Sequence, residues 1–108
     1  NYIHVGDVSK VFLHSLQNFD RIKGHIYNVG LSNANVSKKE LCEEIKKQIP
    51  DFVFVYAPVG KDPDQRNYIV SNAKIERTGY LPQCSLQDGI SELIKGYRMI
   101  RNTRYGNV

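Results

Sequence analysis

Two cations with the chemistry of an anion-binding site, Lys61 and Arg66, flank a loop that contains Pro63. The planar guanidinium of arginine offers a fork of N–H donors that matches two phosphate oxygens, whereas the lysine ammonium is a compact charge on a flexible stem. These residue types therefore indicate a site for a phosphate group. Their spacing alone leaves open the alternative that both are solvated cations of a surface loop.

The same loop carries two carboxylates, Asp62 and Asp64, which could act together in acid–base chemistry. In a segment rich in turn-forming residues, however, aspartates two positions apart more commonly stabilise turns by hydrogen bonding to nearby backbone groups. We therefore interpret both as turn formers.

The residues needed for catalysis by this chain alone are missing from the sequence. Its eight glycines form neither a dinucleotide-binding loop nor a Walker-type loop. None of the seven tyrosines has a lysine four residues later, and the three histidines are too scattered to hold a metal ion. The sequence thus predicts no catalytic, cofactor-binding or metal-binding residue. Lys61 and Arg66 remain as the candidate substrate-binding residues.

The elements next to this loop would have to position the two cations. The segment from Gly60 to Pro82 predicts a loop and then a strand at residues 68–70, where aromatic and β-branched residues favour an extended backbone. Ser71 is predicted to cap a short helix that runs to Gly79, and Pro82 is predicted to prevent the helix from continuing.

Three more strands are predicted from runs of β-branched and aromatic residues, at residues 2–5, 25–30 and 52–56. Together with the helices they predict an α+β fold, with about four helices packed on a few short strands. The sequence has 108 residues and contains no linker or internal repeat, so residues 1–108 are expected to form one domain.

Three longer helices are predicted from capping residues and apolar periodicity. Asp7 is the predicted N-cap of the first, and Ser37 with Glu40 has the spacing of a capping box before the second. Ser85 and Asp88 repeat that pattern before the last helix. Apolar residues at helical spacing line one face of each helix: Val8, Phe12, Leu16 and Phe19; Leu41, Ile45 and Ile49; and Leu86, Ile90, Leu93, Ile94 and Tyr97.

Composition and charge are those of an ordinary globular chain, with 41% hydrophobic and 24% charged residues. The net charge of +4 permits an anionic partner without identifying one. Cys42 and Cys84 predict free thiols in a reducing compartment such as the cytoplasm, with a single disulfide as the alternative. No apolar run reaches the roughly 20 residues that cross a bilayer. The abrupt start at Asn1 suggests a fragment of a longer protein.

Six short motifs occur in order along the chain. They are Tyr-Ile-His-Val-Gly-Asp-Val at residues 2–8, Tyr-Asn-Val-Gly at 27–30, Ser-Lys-Lys-Glu-Leu at 37–41, Asp-Gln-Arg-Asn-Tyr at 64–68, Lys-Ile at 74–75 followed by Thr-Gly-Tyr-Leu-Pro at 78–82, and Ser-Leu-Gln-Asp-Gly-Ile at 85–90. In this order and spacing, the chain resembles the C-terminal part of an extended short-chain dehydrogenase/reductase, of the NAD-dependent nucleotide-sugar epimerase and dehydratase group. The resemblance covers residues 2–97.

The resemblance implies that this chain is one of two parts of a longer enzyme and that each part has its own function. In that family an N-terminal Rossmann domain binds NAD and carries the catalytic tyrosine and lysine, while the C-terminal part binds the nucleotide-sugar. Lys61 matches a basic residue, usually arginine, that contacts the diphosphate, and Arg66 lies in the same loop. Asp7 matches a helix-start position and Tyr68 a strand aromatic, both of which we interpret as structural. The implied partners are the nucleotide-sugar, the chain's own Rossmann domain and a second copy in a homodimer.

Two functions of other classes stay open beside this one. The chain could be a stand-alone basic module that binds nucleic acid, although its aromatic residues are not interleaved with its cations as base-stacking surfaces require. It could also be a structural oligomerisation domain.

Overall fold

The backbone hydrogen bonds of this chain close mainly within helices. A computed structural model describes residues 1–55 and 68–100. In chain order the elements are α1 (Val5–Gln17), α2 (Phe19–Ile22), a 3-10 turn (Ser32–Ala34), α3 (Lys38–Gln48), α4 (Ala73–Glu76) and α5 (Leu86–Ile100). Within these two ranges no residue belongs to a β-strand. The prediction of an α+β fold is therefore wrong, and the described chain is all-helical.

The predicted strands fail because none of them has a neighbouring strand within the described ranges. Propensity alone does not hold a strand, since its backbone groups need ladder partners and its side chains need a packed face. Both backbone polar groups of Val70 bond instead to the side chain of Asn35. The β-branched residues Ile26, Val53 and Val55 are at least 80% exposed, so no packed face forms around them.

Helix α1 begins three residues earlier than the sequence predicts. Its N-cap is His4, whose backbone is extended (φ −73°, ψ 139°) and whose Nδ1 accepts a hydrogen bond from the N–H of Gly6 at 3.1 Å. Because the imidazole already caps the helix, Asp7 falls inside the first turn. The predicted strand at residues 2–5 and the predicted N-cap at Asp7 are both wrong for this reason.

The Asp7 carboxylate joins α1 to the segment that precedes α5, and the residue is only 1% exposed. One carboxylate oxygen accepts from the N–H of Gln83 at 3.1 Å and of Cys84 at 2.9 Å, and the other accepts from Lys10 Nζ at 3.3 Å. The Tyr80 hydroxyl donates to the Asp7 carbonyl oxygen at 2.5 Å. Burial by itself raises the pKa of the Asp7 carboxyl, but the two amides and the ammonium more than offset it. The pKa therefore lies below its usual value.

Both predicted capping boxes are confirmed. Ser37 Oγ accepts from the N–H of Glu40 at 3.2 Å, and the Glu40 carboxylate accepts from the N–H of Ser37 at 2.7 Å. Ser85 and Asp88 exchange the same pair of bonds at the start of α5, at 3.1 and 3.2 Å. The hydrogen bond from the Ser37 backbone is the main reason why the pKa of Glu40 is lowered. Each box satisfies two backbone donors at a helix end.

Helix α4 is shorter than predicted. Its N-cap is Asn72, whose side chain makes no capping bond, so the predicted cap at Ser71 is wrong by one residue. The helix ends at Glu76 rather than near Gly79. That glycine has φ of +93°, a left-handed conformation that favours glycine, and it turns the chain out of the helix.

We expect Ser37→Ala to lower the melting temperature by several degrees. Loss of an N-cap serine costs about 1 kcal/mol, which corresponds to roughly 4–8 °C in a domain of this size. Thermal unfolding followed by circular dichroism measures the shift. The matched control is Ser71→Ala, because Ser71 precedes the N-cap of α4 and should melt with the parent. Equal melting temperatures for the two variants would contradict a stabilising role for the Ser37 cap.

The core is small and lies between α1, α4 and the segment after α4. Val11, Ile75 and Tyr80 form a buried cluster, with Tyr27 and Val29 packed against it. The residues that α1 buries are therefore Val11 and Asp7. The larger apolar residues of the predicted stripe are not buried.

The prediction that Phe19 lies on the first helix is wrong, since α1 ends at Gln17 and Phe19 opens α2. Two residues of α1 together with Phe19 form what we call the α1 apolar face. Phe12, Leu16 and Phe19 are 68%, 73% and 59% exposed, so the described chain leaves this face uncovered. The α5 stripe divides in the same way, since Ile90 is buried while Leu93 is largely exposed. Large apolar side chains that are exposed in this way make the α1 apolar face a candidate interaction surface.

Candidate functional site

A cavity of about 730 Å³ lies where four separate segments of the chain meet. The lining residues are Asn1 and Tyr2, residues 27–29, residues 35–37 and residues 68–70. We call it the amide cavity, because three asparagines, Asn1, Asn28 and Asn35, contribute to its lining. Its last segment begins two residues after Arg66.

Among the described residues that line the amide cavity, no side chain carries a formal charge. Besides the three amides, the lining contains the phenol rings of Tyr2, Tyr27 and Tyr68 and a set of β-branched residues. Amides both donate and accept hydrogen bonds, and aromatic rings stack on flat groups. The cavity therefore suits the neutral, hydrogen-bonding part of a ligand, such as a nucleobase or a sugar ring.

A side chain, rather than a strand, holds the cavity wall at residues 68–70. Asn35 Nδ2 donates to the carbonyl oxygen of Val70 at 3.0 Å, and the N–H of Val70 donates to Asn35 Oδ1 at 3.1 Å. One amide thus replaces the pair of bonds that a neighbouring antiparallel strand would make. Asn28 Nδ2 adds a bond to the carbonyl oxygen of Ser71 at 3.4 Å.

Tyr27 is fixed in the cavity lining by a lysine from α4. Lys74 Nζ donates to the carbonyl oxygen of Ile26 at 2.9 Å and lies 4.7 Å from the centroid of the Tyr27 ring. A cation over an aromatic face is attracted by the ring quadrupole. The His25 ring meets the same tyrosine edge-on, with 6.3 Å between the ring centroids. The Tyr27 ring is therefore held in place before any ligand arrives.

The predicted substrate-binding residues, Lys61 and Arg66, lie outside the described residues, as do Asp62 and Asp64. The wall of the amide cavity starts at Tyr68, two residues after the arginine. The predicted diphosphate site and the observed cavity are thus neighbours in the sequence, and the diphosphate site stays a prediction.

Asn28 and Asn35 are site residues that sequence reasoning does not find. The available signal is the density of asparagines in residues 28–35, because asparagine side chains readily take over backbone hydrogen bonds. Which backbone group each amide reaches depends on tertiary structure, since Asn35 and Val70 are 35 residues apart.

A second, larger groove of about 1140 Å³ lies between α3 and α5. Its walls are mostly apolar and include Leu41, Ile45, Ile49, Phe52, Ile90 and Leu93. At its edge, His4 Nε2 bonds to the carboxylate of Glu92 on α5. Few polar groups converge here, so the groove suits apolar contact better than recognition of a polar ligand.

In residues 1–55 and 68–100, no three His, Cys, Asp or Glu side chains come close enough together to hold a metal ion. None of the helices in that part of the chain combines the length and the hydropathy needed to span a bilayer. Cys42 and Cys84 are free thiols, and burial is the main cause that raises the pKa of Cys84. No protein-family model matches the chain.

Proposed function

We propose that this chain is the substrate-binding portion of an NAD-dependent nucleotide-sugar epimerase or dehydratase of the extended short-chain dehydrogenase/reductase group. One observation carries the proposal. Four of the six family-like motifs, far apart in the sequence, each bring at least one side chain to the amide cavity. In motif order these residues are Tyr2, Tyr27 with Asn28 and Val29, Ser37, and Tyr68. Tyr27 and Val29 also pack against the core cluster and Ser37 caps α3, so the folded core itself holds these motif residues at the cavity.

The proposed ligand divides into two parts that match two kinds of residue. Its neutral part, a base or a sugar, occupies the amide cavity, where amides and phenols offer donors, acceptors and stacking surfaces. Its diphosphate is contacted by Arg66 and Lys61, whose positive charges the cavity lining lacks. Arginine supplies a bidentate fork for phosphate oxygens, and the lysine supplies charge without that fork.

This chain binds and orients the substrate, and the oxidation belongs to the Rossmann portion. When bound there, NAD would supply the reversible oxidation of a sugar hydroxyl. The sequence of this chain has no glycine-rich loop that fits the cofactor and no Tyr-x-x-x-Lys pair for proton transfer. No residue of residues 1–108 is therefore assigned to cofactor binding or to catalysis.

The Rossmann portion is also the partner that we propose for the α1 apolar face. Burial of apolar surface contributes roughly 25 cal/mol per Å², so covering Phe12, Leu16 and Phe19 would stabilise the assembled protein. A homodimer through the same face is the alternative, and sedimentation of the chain at several concentrations separates the two. The free thiols of Cys42 and Cys84 agree with a cytoplasmic location.

Calorimetric titration of the chain tests the proposed function. UDP-glucose, dTDP-glucose and GDP-mannose serve as probes, with NAD and a random DNA duplex as controls. We expect at least one nucleotide-sugar to bind with millimolar affinity or better, and no binding of NAD. Binding of NAD at micromolar affinity would overturn the assignment. DNA binding that weakens steeply with salt would instead favour the nucleic-acid module.

A further inference from the structure

We propose that Asn35 is a positioning residue for the nucleotide-sugar, because its side chain sets the cavity wall that carries Tyr68. This inference rests on the proposed function and adds a residue to it. The amide of Asn35 bonds to both backbone polar groups of Val70, at 3.0 and 3.1 Å. The Asn35 side chain thus attaches the wall, at Val70, to the end of the 3-10 turn.

The orientation of the Asn35 amide is fixed by three hydrogen bonds. Nδ2 donates to the carbonyl oxygens of Val70 and of Ser32, the latter at 3.3 Å, while Oδ1 accepts from the N–H of Val70. Exchanging the oxygen and nitrogen of this amide would set donor against donor and acceptor against acceptor at Val70. Asn35 therefore specifies where the wall sits, because only one arrangement satisfies every group.

The turn that carries Asn35 holds the same segment at a second place. Ser32 Oγ accepts from Asn72 Nδ2 at 3.3 Å and donates to the Glu76 carboxylate at the end of α4. Ser32 thus braces the segment that follows the wall, while Asn35 holds the wall at Val70. Loss of the Asn35 bonds should loosen the wall at Val70 and leave the bonds of Ser32 in place.

The variant Asn35→Asp distinguishes a positioning role of Asn35 from a general loss of folded structure. The reason is that the hydrogen bonds of the new carboxyl group depend on pH. An ionised carboxylate still accepts from the N–H of Val70, but it cannot donate to the Val70 carbonyl oxygen. A protonated carboxyl restores that donor. The variant should therefore bind substrate poorly at neutral pH and recover as the carboxyl takes up a proton.

The test is a titration of the tightest-binding nucleotide-sugar of the panel into parent, Asn35→Asp and Asn33→Asp between pH 7.5 and about pH 4. Asn33 is exposed in the same 3-10 turn, so Asn33→Asp makes the same change of charge away from the wall. At pH 7.5 we expect Asn35→Asp to raise the dissociation constant roughly 5- to 50-fold, the loss expected when the part-buried Val70 carbonyl oxygen loses its donor. The ratio to the parent value should fall towards 1 as the pH is lowered.

Two outcomes overturn the inference alone: equal binding by Asn35→Asp and Asn33→Asp at every pH, or a loss in Asn35→Asp that does not recover at low pH. If the parent binds no nucleotide-sugar, the proposed function fails instead. Should Asn35→Asp unfold at neutral pH, Asn35→Ser replaces it, with Asn33→Ser as its control. Weakened binding in Asn35→Ser, together with faster amide exchange at Val70, then supports the inference, and unchanged binding overturns it.

Discussion

Asp7→Ala is expected to lower the free energy of unfolding by about 2–6 kcal/mol, because it leaves two amide donors without their acceptor at about 1–3 kcal/mol each. The affected groups are the N–H of Gln83 and of Cys84, which reach the carboxylate of a residue only 1% exposed. Urea unfolding followed by circular dichroism measures the change. The matched control is Asp20→Ala, since Asp20 is exposed and pairs with Lys23, three residues away on the surface. That variant should stay within about 0.5 kcal/mol of the parent.

The same carboxylate predicts how stability depends on pH. The pKa of Asp7 is below its usual value of 3.8 in the folded chain, so folding favours the ionised form. The resulting stabilisation is complete above the unfolded-state pKa and is lost as the pH falls through the lower folded-state pKa. We expect the difference in free energy of unfolding between parent and Asp7→Asn to be constant from pH 7 to about pH 5, and to shrink below about pH 4. A difference that grew towards acid pH would contradict the direction of the pKa shift.

Arg66→Ala is expected to weaken binding of the nucleotide-sugar by roughly 10- to 150-fold. A charge-assisted hydrogen bond contributes about 1.5–3 kcal/mol, and about 1.4 kcal/mol corresponds to a factor of ten in affinity. In the intact enzyme that we propose, the loss should appear in the Michaelis constant for the nucleotide-sugar, while NAD binding and the melting temperature stay near the parent values. Lys61→Arg should bind as well as the parent or better, because it restores a bidentate fork.

The control for Arg66→Ala is Arg77→Ala. Arg77 is exposed at the C-cap of α4 and does not line the amide cavity. Arg77→Ala therefore removes the same charge at a place away from the cavity. If Arg66 is only a solvated loop cation, the two variants will bind the substrate equally at every concentration. That result would remove Arg66 from the site and leave the amide cavity to be tested through Asn35.

The parts of the fold that could be predicted from the sequence are those decided within one turn of helix. The capping boxes at Ser37 and Ser85 join residues three positions apart, so their signal is complete in the local sequence. The strands could not be predicted in the same way, because a strand depends on a partner that may lie anywhere in the chain. At Val70 that partner is an asparagine side chain 35 residues away. The first helix shows a third case. Aspartate is a common N-cap residue, so the sequence predicts Asp7 as the cap, but the His4 imidazole caps the helix instead.

The candidate site likewise has a part that is visible in the local sequence and a part that depends on tertiary structure. Residue chemistry predicts that Lys61 and Arg66 bind an anion, since a cationic side chain beside turn-forming residues is visible in the sequence itself. The amide cavity could not be predicted, because its lining comes from four segments that meet only in the folded chain. The motifs that carry the family resemblance include Tyr27 and Tyr68, but the sequence alone indicates a structural role for Tyr68 and no site role for Tyr27.

The buried Asp7 carboxylate also has a kinetic consequence, because it meets amides 76 and 77 residues further along the chain. Bringing together groups so far apart costs chain entropy, and this cost rises by about 0.6 kcal/mol for each doubling of the enclosed loop. Helices form far sooner, since their bonds are local and relax within roughly a microsecond. The carboxylate should therefore find its amides after α1 and α5 already exist, and its loss should accelerate unfolding more than it slows folding. The contact that joins α1 to the segment before α5 would then govern how long the folded state persists.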